Sequence, residues 1–410
     1  KILNYWHDIE FAGQIAFDPK RLSEIIENPY FDSWGHSYNL MWASALWTLA
    51  STFDSDFSFL PNIKNWETEF RRLREAKVES FYYGSPNGIS PLGTKAIFEG
   101  QARFSQLQYL YEALGQSNDL NDFADAGMLN GIYVEAFNLF LEIIGEVTPS
   151  KADDPLIGLF LLLCDIAINP SDGFPFDIMH YESFIISNDP GYRFYILCIL
   201  IRDKHGDLKS RICKYSKNEY IEISSILSNA MACFSHYESS TLICHWIAKE
   251  SSLQSLLEQE KAHKYQPENL PIRLFFAKFL KFQEDKLESP QIFCWPGMHF
   301  SNISNNDIDL SEVSNLFEKH KALFIDDITG DIYHSAFKNY SEQQVDETFN
   351  DFFAWNATYD MVRKWIIEEG PFKFNYEWLT SKYSKEQMKQ WSCNNFEASF
   401  GIHPDKFKIL

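Results

Sequence analysis

Apolar residues recur along this chain with the period of a helix. They return every three or four positions in successive stretches, whereas the strict alternation typical of a half-buried strand is almost absent. The exception is residues 325–333, where Thr329-Gly330 stands at the middle of a short alternating run and predicts a hairpin. The pattern as a whole therefore predicts an all-α fold.

Three helical signals follow one another between Thr94 and Asn169. The first runs from Thr94 to Leu114 and is followed by Gly115, a residue type common just after a helix C-terminus. The second covers residues 126–146, with one apolar face and one polar face. The third, residues 155–169, is apolar on every side but shorter than the ~18 residues that a membrane span needs. We therefore expect it to be a central helix surrounded by the others.

Further helical patterns lie on both sides of these three. They cover residues 19–27, 37–53, 65–78, 192–202, 219–234, 239–264, 270–282 and 341–369. Residues 287–310 interrupt them, because this stretch is polar, contains two prolines and has no period. The sequence thus predicts a large helical domain over residues 1–286, a linker over 287–310 and a small helical C-terminal subdomain over 311–410.

The charge of the chain restricts its partners. Among 410 residues, 36 are basic and 57 acidic, which gives a formal net charge of −21. Nonspecific attraction to nucleic acid or to an anionic membrane is therefore not expected over most of the surface. A protein is therefore the expected kind of partner.

The cysteines indicate a reducing compartment. There are seven, an odd number, and their scattered spacing does not resemble a disulfide framework. The chain also starts without a charged segment followed by an apolar one, so no signal peptide is expected. Together these features predict a cytoplasmic protein whose thiols are all reduced.

Sequence motifs of the common enzyme classes are absent. There is no HExxH, GxxxxGK[ST], GxSxG, GxGxxG or paired CxxC. Phe98-Glu-Gly-Gln-Ala-Arg103 resembles the Glu-Gly-x-Ala helix that supplies the third ligand in many zinc metallopeptidases, but the two histidine ligands of that family are missing. Glu99 and Glu135 are suitably spaced for a di-metal bundle, yet Glu135 is followed by Asn138 where such a site needs histidine.

Cysteines and histidines near residue 240 also fail as a zinc site. His236 and Cys244 are eight helical residues apart, a rise of ~12 Å, whereas zinc holds its ligands at ~2.0–2.3 Å. We therefore expect packed thiols and surface histidines here, no metal and no cofactor.

One group of charged residues is predicted to lie inside the core. On a helix over residues 94–114, Arg103 falls within the apolar face and Glu99 lies one turn before it. Asp165 lies near the C-terminal end of the central helix, where the helix dipole disfavours an anion, so an ionised Asp165 needs a partner. His180 or Arg193, from the segment that follows, could join these three.

Two interpretations of this group lead to two functions. The group is either a buried ion network that fixes how three helices pack, or a polar pocket in which Arg103 holds an anionic ligand while Glu99, Asp165 or His180 transfers protons. The first interpretation, with the missing motifs, predicts a helical adaptor or regulatory protein. The second predicts an enzyme of hydrolase type. An open pocket that reaches the group would favour the enzyme, and a sealed core the interaction protein.

Overall fold

The computed structural model describes residues 34–75, 92–181, 187–301, 310–326, 332–367, 370–380 and 382–408. Within these ranges the fold is all-α, as the sequence predicts. In chain order the helices are α1 (Trp34–Phe53), α2 (Ile63–Glu75), α3 (Thr94–Ala113), α4 (Leu120–Asp125), α5 (Ile132–Ile144), α6 (Pro155–Ile168), α7 (Pro190–Asp203), α8 (Lys217–Ala230), α9 (His236–Lys249), α10 (Ser251–Ala262), α11 (Leu270–Glu288), α12 (Pro290–Cys294), α13 (Pro296–Ser301), α14 (Leu310–His320), α15 (Glu342–Ile367) and α16 (Lys385–Phe400). Two short strands, β1 (Phe324–Asp326) and β2 (Ile332–His334), lie between α14 and α15.

The chain divides into two compact units. Unit 1 is formed by Lys1–Ala248 and Gln283–Ser314, and unit 2 by Lys249–Phe282 and Asn315–Leu410. The chain therefore leaves unit 1 after α9 and returns to it within α11. No helix in the described part of the chain is long and apolar enough to cross a membrane.

Unit 1 is built around α6. Every residue of this helix from Ile157 to Ala167 is buried, which confirms the predicted central helix. Phe160 lies at its middle, and its ring contacts the rings of three neighbouring helices, with centroids 5.2 Å from Phe104, 5.0 Å from Phe137 and 6.0 Å from Phe194. The core of unit 1 is thus an aromatic cluster in which α3, α5 and α7 pack around α6.

The start of α6 is set by its own sequence. Asp154 is the N-cap, and its side chain accepts a hydrogen bond from the backbone N–H of Leu156 at 2.9 Å. Pro155 follows at the first helical position, where its missing N–H costs nothing. Local sequence therefore fixes the register of the central helix and with it the position of Asp165.

The helix predicted over residues 126–146 is shorter in the structure. It begins only at Ile132, because Gly127 and Gly131 adopt positive φ angles of 75° and 54° and separate α4 from α5. Its polar face is as predicted, since Glu135, Asn138 and Glu142 are all exposed. The long pattern over residues 239–264 is likewise two helices, α9 and α10, with Glu250 between them.

Helix α3 has the predicted length but a different buried face. Ile97, Phe104, Leu107 and Tyr111 are its buried hydrophobic side chains along with Ala96. Leu114, the last residue of the predicted helix, is 50% exposed. The true face is rotated towards the aromatic residues, because Phe104 inserts between Phe137 and Phe160. Arg103 is therefore displaced to the edge of the face.

The segment predicted as a linker, residues 287–310, contains two short helices. Both begin at a proline, Pro290 for α12 and Pro296 for α13, and both contribute buried residues to unit 1. The prediction of a segment without helical structure was wrong for residues 290–301, because proline at a first helical position starts a helix as well as it stops one. Residues 302–309 lie outside the described residues, and the predicted domain boundaries themselves stay a prediction.

Unit 2 contains two small hydrophobic clusters that share helix α15. The first is formed by Leu270, Leu274, Val345, Phe349 and Phe352, and the second by Ala357, Met361, Tyr376, Met388 and Phe396. Strands β1 and β2 pair antiparallel, with Ile325 opposite Tyr333, which confirms the predicted hairpin pairing. The turn with Thr329-Gly330 and the early helix predicted over residues 19–27 lie outside the described residues.

Candidate functional site

Asp165 is the centre of a buried ionic cluster in unit 1. Its carboxylate lies 2.6 Å from the ammonium nitrogen of Lys286 and accepts a hydrogen bond of 2.8 Å from the hydroxyl of Tyr220. The side-chain amide of Asn169 donates a third bond at 3.2 Å. Asp165 is 3% exposed, Lys286 2% and Tyr220 0%. We call Asp165, Lys286, Tyr220 and Asn169 the Asp165 cluster.

The Asp165 cluster holds its carboxylate ionised. Burial alone would raise the pKa of Asp165, but the Lys286 ammonium, with the hydrogen bonds of Lys286 and Tyr220, outweighs burial and lowers that pKa below its usual value. Burial and the neighbouring carboxylate raise the pKa of Tyr220 well above 10, so its hydroxyl remains a donor. The cluster is therefore an ion pair supported by donors, without a carboxyl group poised to exchange protons near neutral pH.

His236 lies beside this cluster as a neutral ring. Burial first, and then the positive charge of Lys286, lower the pKa of His236 to about 3. Its Nε2 atom is buried and has no hydrogen-bond partner among the described residues. The imidazole therefore contributes packing at neutral pH and no charge.

A second buried group surrounds Arg193. Its guanidinium donates to the backbone carbonyl of Ile166 at 2.9 Å and to that of Ser187 at 2.7 Å. Ile166 lies in the last turn of α6, whose carbonyl groups have no partner within the helix. Burial lowers the pKa of Arg193, although Cys233 and Asp172 nearby oppose that shift. Arg193 thus caps the C-terminal end of the central helix and complements its dipole.

Asp172 organises the loop that follows α6. Its carboxylate accepts bonds from the hydroxyl of Ser187 at 2.6 Å and from the backbone N–H of Met179 at 2.7 Å. The backbone N–H of His180 points to the same carboxylate at 3.4 Å. The half-buried ring of His180 lies 2.8 Å from the carbonyl oxygen of Ala232 through Nε2. His180 therefore belongs to the loop around Asp172 and does not contact Asp165.

Glu99 and Arg103 do not join Asp165, so the predicted three-residue group does not form. Arg103 is half-buried at the edge of α3, where its guanidinium stacks 4.3 Å from the ring centre of Tyr133 and donates to Gln106 at 3.0 Å. Among the described residues it makes no ion pair with Glu99, which is half-buried as well. The rotated face of α3 is the physical reason. Catalytic roles for Glu99, Arg103, Asp165 and His180 stay a prediction.

The actual partners of Asp165 come from distant parts of the sequence. Tyr220 is 55 residues away and Lys286 121 residues away. Lys286 gives one signal, since it continues a buried stripe of α11 through Leu280 and Gln283 at helical spacing. The helical pattern in the sequence ends at Phe282, so Lys286 was not predicted to lie on this helix.

Metal ligands are not gathered in the part of the chain that the structure describes. No three His, Cys, Asp or Glu side chains come together there. Glu135, the candidate for a di-metal site, is exposed on α5. A metal-free protein remains a prediction, which elemental analysis of protein purified without affinity metal can test.

Two surface depressions lie in unit 2, and neither is lined by a residue predicted to be catalytic. One has a volume of about 390 Å³ and is lined by Lys373, Phe374, Asn375, Lys385 and Lys389. The other, of about 200 Å³, is lined by Lys278, Phe279, Phe282, Lys319, His320, Lys321 and Leu323. Neither depression reaches the Asp165 cluster. Comparison of the chain with protein-family models, curated proteins and solved structures finds no match.

Proposed function

We propose that this chain is a cytoplasmic helical protein-interaction protein, an adaptor or a regulatory subunit, that binds its partner through unit 2. The observation that carries the proposal is the distribution of exposed large hydrophobic side chains. Among the described residues there are eighteen such side chains, and eleven of them lie in unit 2, although unit 2 supplies only about a third of the described residues. Exposed apolar surface concentrated in one region is typical of a binding surface.

Three of these side chains follow one another in sequence at and just after the C-terminal end of α16. Phe400, Ile402 and Phe407 are 51%, 49% and 40% exposed. The buried ring of Phe396 joins two of them, with centroids 4.7 Å from Phe400 and 5.8 Å from Phe407. We call Phe400, Ile402 and Phe407 the α16-end patch. Exposed aromatic residues that share a neighbour bury more area against a partner than isolated ones do.

The charge of the chain is distributed in a way that favours binding through unit 2. Unit 1 contains 19 basic and 38 acidic residues, a formal charge of −19, whereas unit 2 contains 17 and 19, a charge of −2. A strongly acidic surface repels acidic partners, whereas a nearly neutral surface does not. Unit 2 is therefore the better docking surface.

The Asp165 cluster supports a structural role for the buried charges over an acid–base role. Its three central side chains are at most 3% exposed, and the ionised carboxylate already has a cation and two donors. A substrate needs an accessible pocket with polar groups that are free to bind it. A sealed and satisfied cluster instead stabilises one packing arrangement of α6, α8 and α11.

The experiment compares two double variants of the full chain. Tagged protein is recovered with its bound partners from the cells that make it, after brief cross-linking. Phe400→Ser with Ile402→Ser removes most of the α16-end patch, and Leu114→Ser with Val147→Ser removes side chains of unit 1 that are 50% and 81% exposed. We expect a stoichiometric partner to be lost only from the first variant. Equal partner sets for both variants, or no stoichiometric partner with the parent chain, would reject the proposal.

A further inference from the structure

Two neighbouring carboxylates of unit 1 have no cation beside them. Glu112 is the next-to-last residue of α3, and Asp153 lies in the loop before α6. The backbone N–H of Leu120 donates to the carbonyl oxygen of Ser150 at 2.8 Å, which holds this loop against the segment that follows α3. Glu112 and Asp153 are both half-buried, and neither forms an ion pair with a described residue.

The charges of the two carboxylates oppose each other. Burial raises the pKa of Glu112, and the charge of Asp153 raises it further, against the effect of a hydrogen bond of 3.1 Å from Gln116. Burial, and then the charges of Asp153 and Glu112, also raise the pKa of the Tyr111 hydroxyl. The charges that act on these groups are negative, so a cation bound here would lower the electrostatic free energy of the folded chain.

Two buried polar side chains beside the carboxylates make no hydrogen bond of normal geometry. Gln108 is 0% exposed, and neither its Oε1 nor its Nε2 atom is paired. Tyr111, one turn later on α3, is 1% exposed, and its hydroxyl faces Asp153 without a good hydrogen bond. Buried polar atoms are nearly always paired in folded proteins. We call Gln108, Tyr111, Glu112 and Asp153 the carboxylate site.

Tyr215 connects Gln108 to the same loop. Its hydroxyl donates to the backbone carbonyl of Asp154 at 3.2 Å, and the amide of Gln108 faces that hydroxyl. Burial first, and then the charges of Asp153 and Asp154, raise the pKa of Tyr215. A cation at the carboxylate site would therefore meet carboxylates and neutral oxygen atoms.

The cations of the surrounding segments do not neutralise the carboxylate site. Three of them have other partners, namely Lys209 with Glu146, Arg211 with Glu222 and Lys217 with backbone carbonyl groups. Lys151 and Lys214 are exposed, and neither forms an ion pair with a described residue. Residues 108–125, 146–156 and 206–219 together contain nine acidic and five basic side chains. The local charge is therefore negative after all of these cations are counted.

We propose that the carboxylate site binds the guanidinium group of an arginine in a basic segment of a partner protein, with Glu112 and Asp153 as its counter-ions. This contact lies on unit 1 and does not depend on the proposed binding through unit 2. A guanidinium group suits a half-buried site, because it is weakly hydrated and offers five donors to the two carboxylates and the unpaired oxygen atoms beside them. A metal ion fits less well, since no three His, Cys, Asp or Glu side chains come together among the described residues.

The charge of unit 1 favours an arginine within a basic segment over a free cation. Unit 1 has a formal charge of −19. Several cations in one segment are each attracted to that surface, over a range of ~8 Å at physiological ionic strength. A small cation gains only the contact at the carboxylate site.

The test measures binding of a labelled twelve-residue peptide to the full chain by fluorescence anisotropy. The peptide has one central Arg and four Lys among Gly and Ser. The double variant Glu112→Gln/Asp153→Asn is compared with Asp56→Asn/Glu67→Gln. Both variants change the net charge by +2, and Asp56 and Glu67 are exposed residues of unit 1 without an ion pair to a described residue. We expect affinity to fall at least tenfold in the first variant and less than threefold in the second.

Two further measurements separate a binding site from a structural one. Replacement of the central Arg by citrulline, which has a similar shape without the charge, should lower the affinity of the parent chain at least tenfold. Glu112→Gln/Asp153→Asn should be at least as stable as the parent in urea unfolding, because it removes the repulsion between the two carboxylates.

Four outcomes would overturn the inference. Equal losses of affinity in both variants, or no binding by the parent chain, would show that the carboxylate site does not select the peptide. Binding of N-acetyl-arginine amide as tightly as the peptide would assign the site to a small guanidinium ligand. A Glu112→Gln/Asp153→Asn chain less stable than the parent would show that the two carboxylates support packing.

Discussion

At the scale of single residues, the buried charges of Lys286 and Asp165 stabilise each other. Moving either charge out of water costs roughly several kcal/mol of free energy. The attraction between the two charges at 2.6 Å offsets that cost only because Tyr220 and Asn169 donate hydrogen bonds to the remaining lone pairs of the carboxylate. Removing one partner therefore does more damage than the pair contributes in net stability.

Lys286→Met should accordingly destabilise the folded chain by about 3–5 kcal/mol, because Asp165 is left as a buried carboxylate without a cation. Urea unfolding of the full chain, followed by the fluorescence of buried tryptophans such as Trp295, measures the change. The double variant Asp165→Leu/Lys286→Met should be less destabilised than the single one, since no unpaired charge remains.

Arg202→Met is the matched control for that measurement. Arg202 pairs with Asp203 at 2.6 Å, but both side chains are 49% exposed. Such an exposed pair is screened by water and contributes little to stability. If Lys286→Met proved as mild as Arg202→Met, the Asp165 cluster would have to be open to water.

His263 is a buried histidine in unit 2 that remains neutral. It is 1% exposed, and its ring stacks on Tyr340 with centroids 4.6 Å apart. Burial first, and then the charges of Lys278 and His334, lower its pKa to about 4, against the opposing effect of Glu260. In the unfolded chain a histidine takes up its proton near pH ~6.5.

Stability should therefore fall as the pH is lowered from 6.5 towards 4. In that window the unfolded chain binds a proton at His263 that the folded chain excludes, so the loss approaches about 1.4 kcal/mol per pH unit. Above pH 6.5 the contribution of the neutral His263 ring to the free energy of unfolding is fully present. His263→Asn should lose less stability than the parent between pH 7 and pH 5 in urea unfolding. Asparagine suits the positive φ of 46° at this position. Equal losses would contradict the low pKa.

Sequence reasoning identified one end of the central ion pair and missed the other. Asp165 stands out because an anion near the C-terminal end of an apolar helix needs a partner. Lys286 does not stand out, because long-range pairing depends on how α6 and α11 pack, which no local pattern records. Arg103 shows the converse error, since a lysine or arginine within an apolar stripe reaches the helix edge with its long side chain.

At the scale of helices, α13 packs closely against α3. Gly297 of α13 lies directly against the backbone of α3. A Cβ atom at this position would collide with the carbonyl oxygen of Ser105 and lie 2.8 Å from Cβ of Gln108. A backbone carbonyl cannot move aside as the end of a flexible side chain can.

Gly297→Ala should destabilise the chain by about 1–3 kcal/mol, because α13 must shift away from α3. Thermal and urea unfolding measure the loss. Gly206→Ala is the control, since the nearest atom to a Cβ there is the carbonyl oxygen of Ile201 at 3.9 Å and its φ is not positive. A Gly297→Ala variant as stable as Gly206→Ala would show that the two helices are farther apart.

Helices with strong local signals could be predicted, whereas the start of α5 and the buried face of α3 could not. The N-cap Asp154 and Pro155 mark the start of α6, and its length and burial follow from its composition. The start of α5 at Ile132 depends on two glycines with positive φ, which the apolar period alone does not reveal. The face of α3 depends on Phe104 filling a gap between rings of α5 and α6, which is a tertiary effect.

At the scale of the whole molecule, the division of charge between the two units is the feature that the sequence average conceals. Of the net charge of −21, −19 belongs to unit 1 and only −2 to unit 2. Unit 2 is assembled from residues 249–282 and 315–410, so a reading of the chain in consecutive blocks does not separate the two charges.

Thiol chemistry tests the packing of the whole chain, because the seven cysteines are free and spread over both units. Cys213 is exposed and Cys244 is half-buried, whereas Cys164, Cys198, Cys233, Cys294 and Cys393 are buried. Burial, with Glu284 and Asp285 nearby, raises the pKa of Cys244 to about 11, which leaves little of the reactive thiolate at neutral pH.

In the native protein, one thiol should therefore react fast with a disulfide reagent, and a second should react slowly. The fast reaction should be absent from Cys213→Ser. All seven should react after unfolding without reductant. A denatured count below seven would reveal a disulfide and overturn the reducing compartment, and three or more fast thiols in the native state would show that the helical core is open.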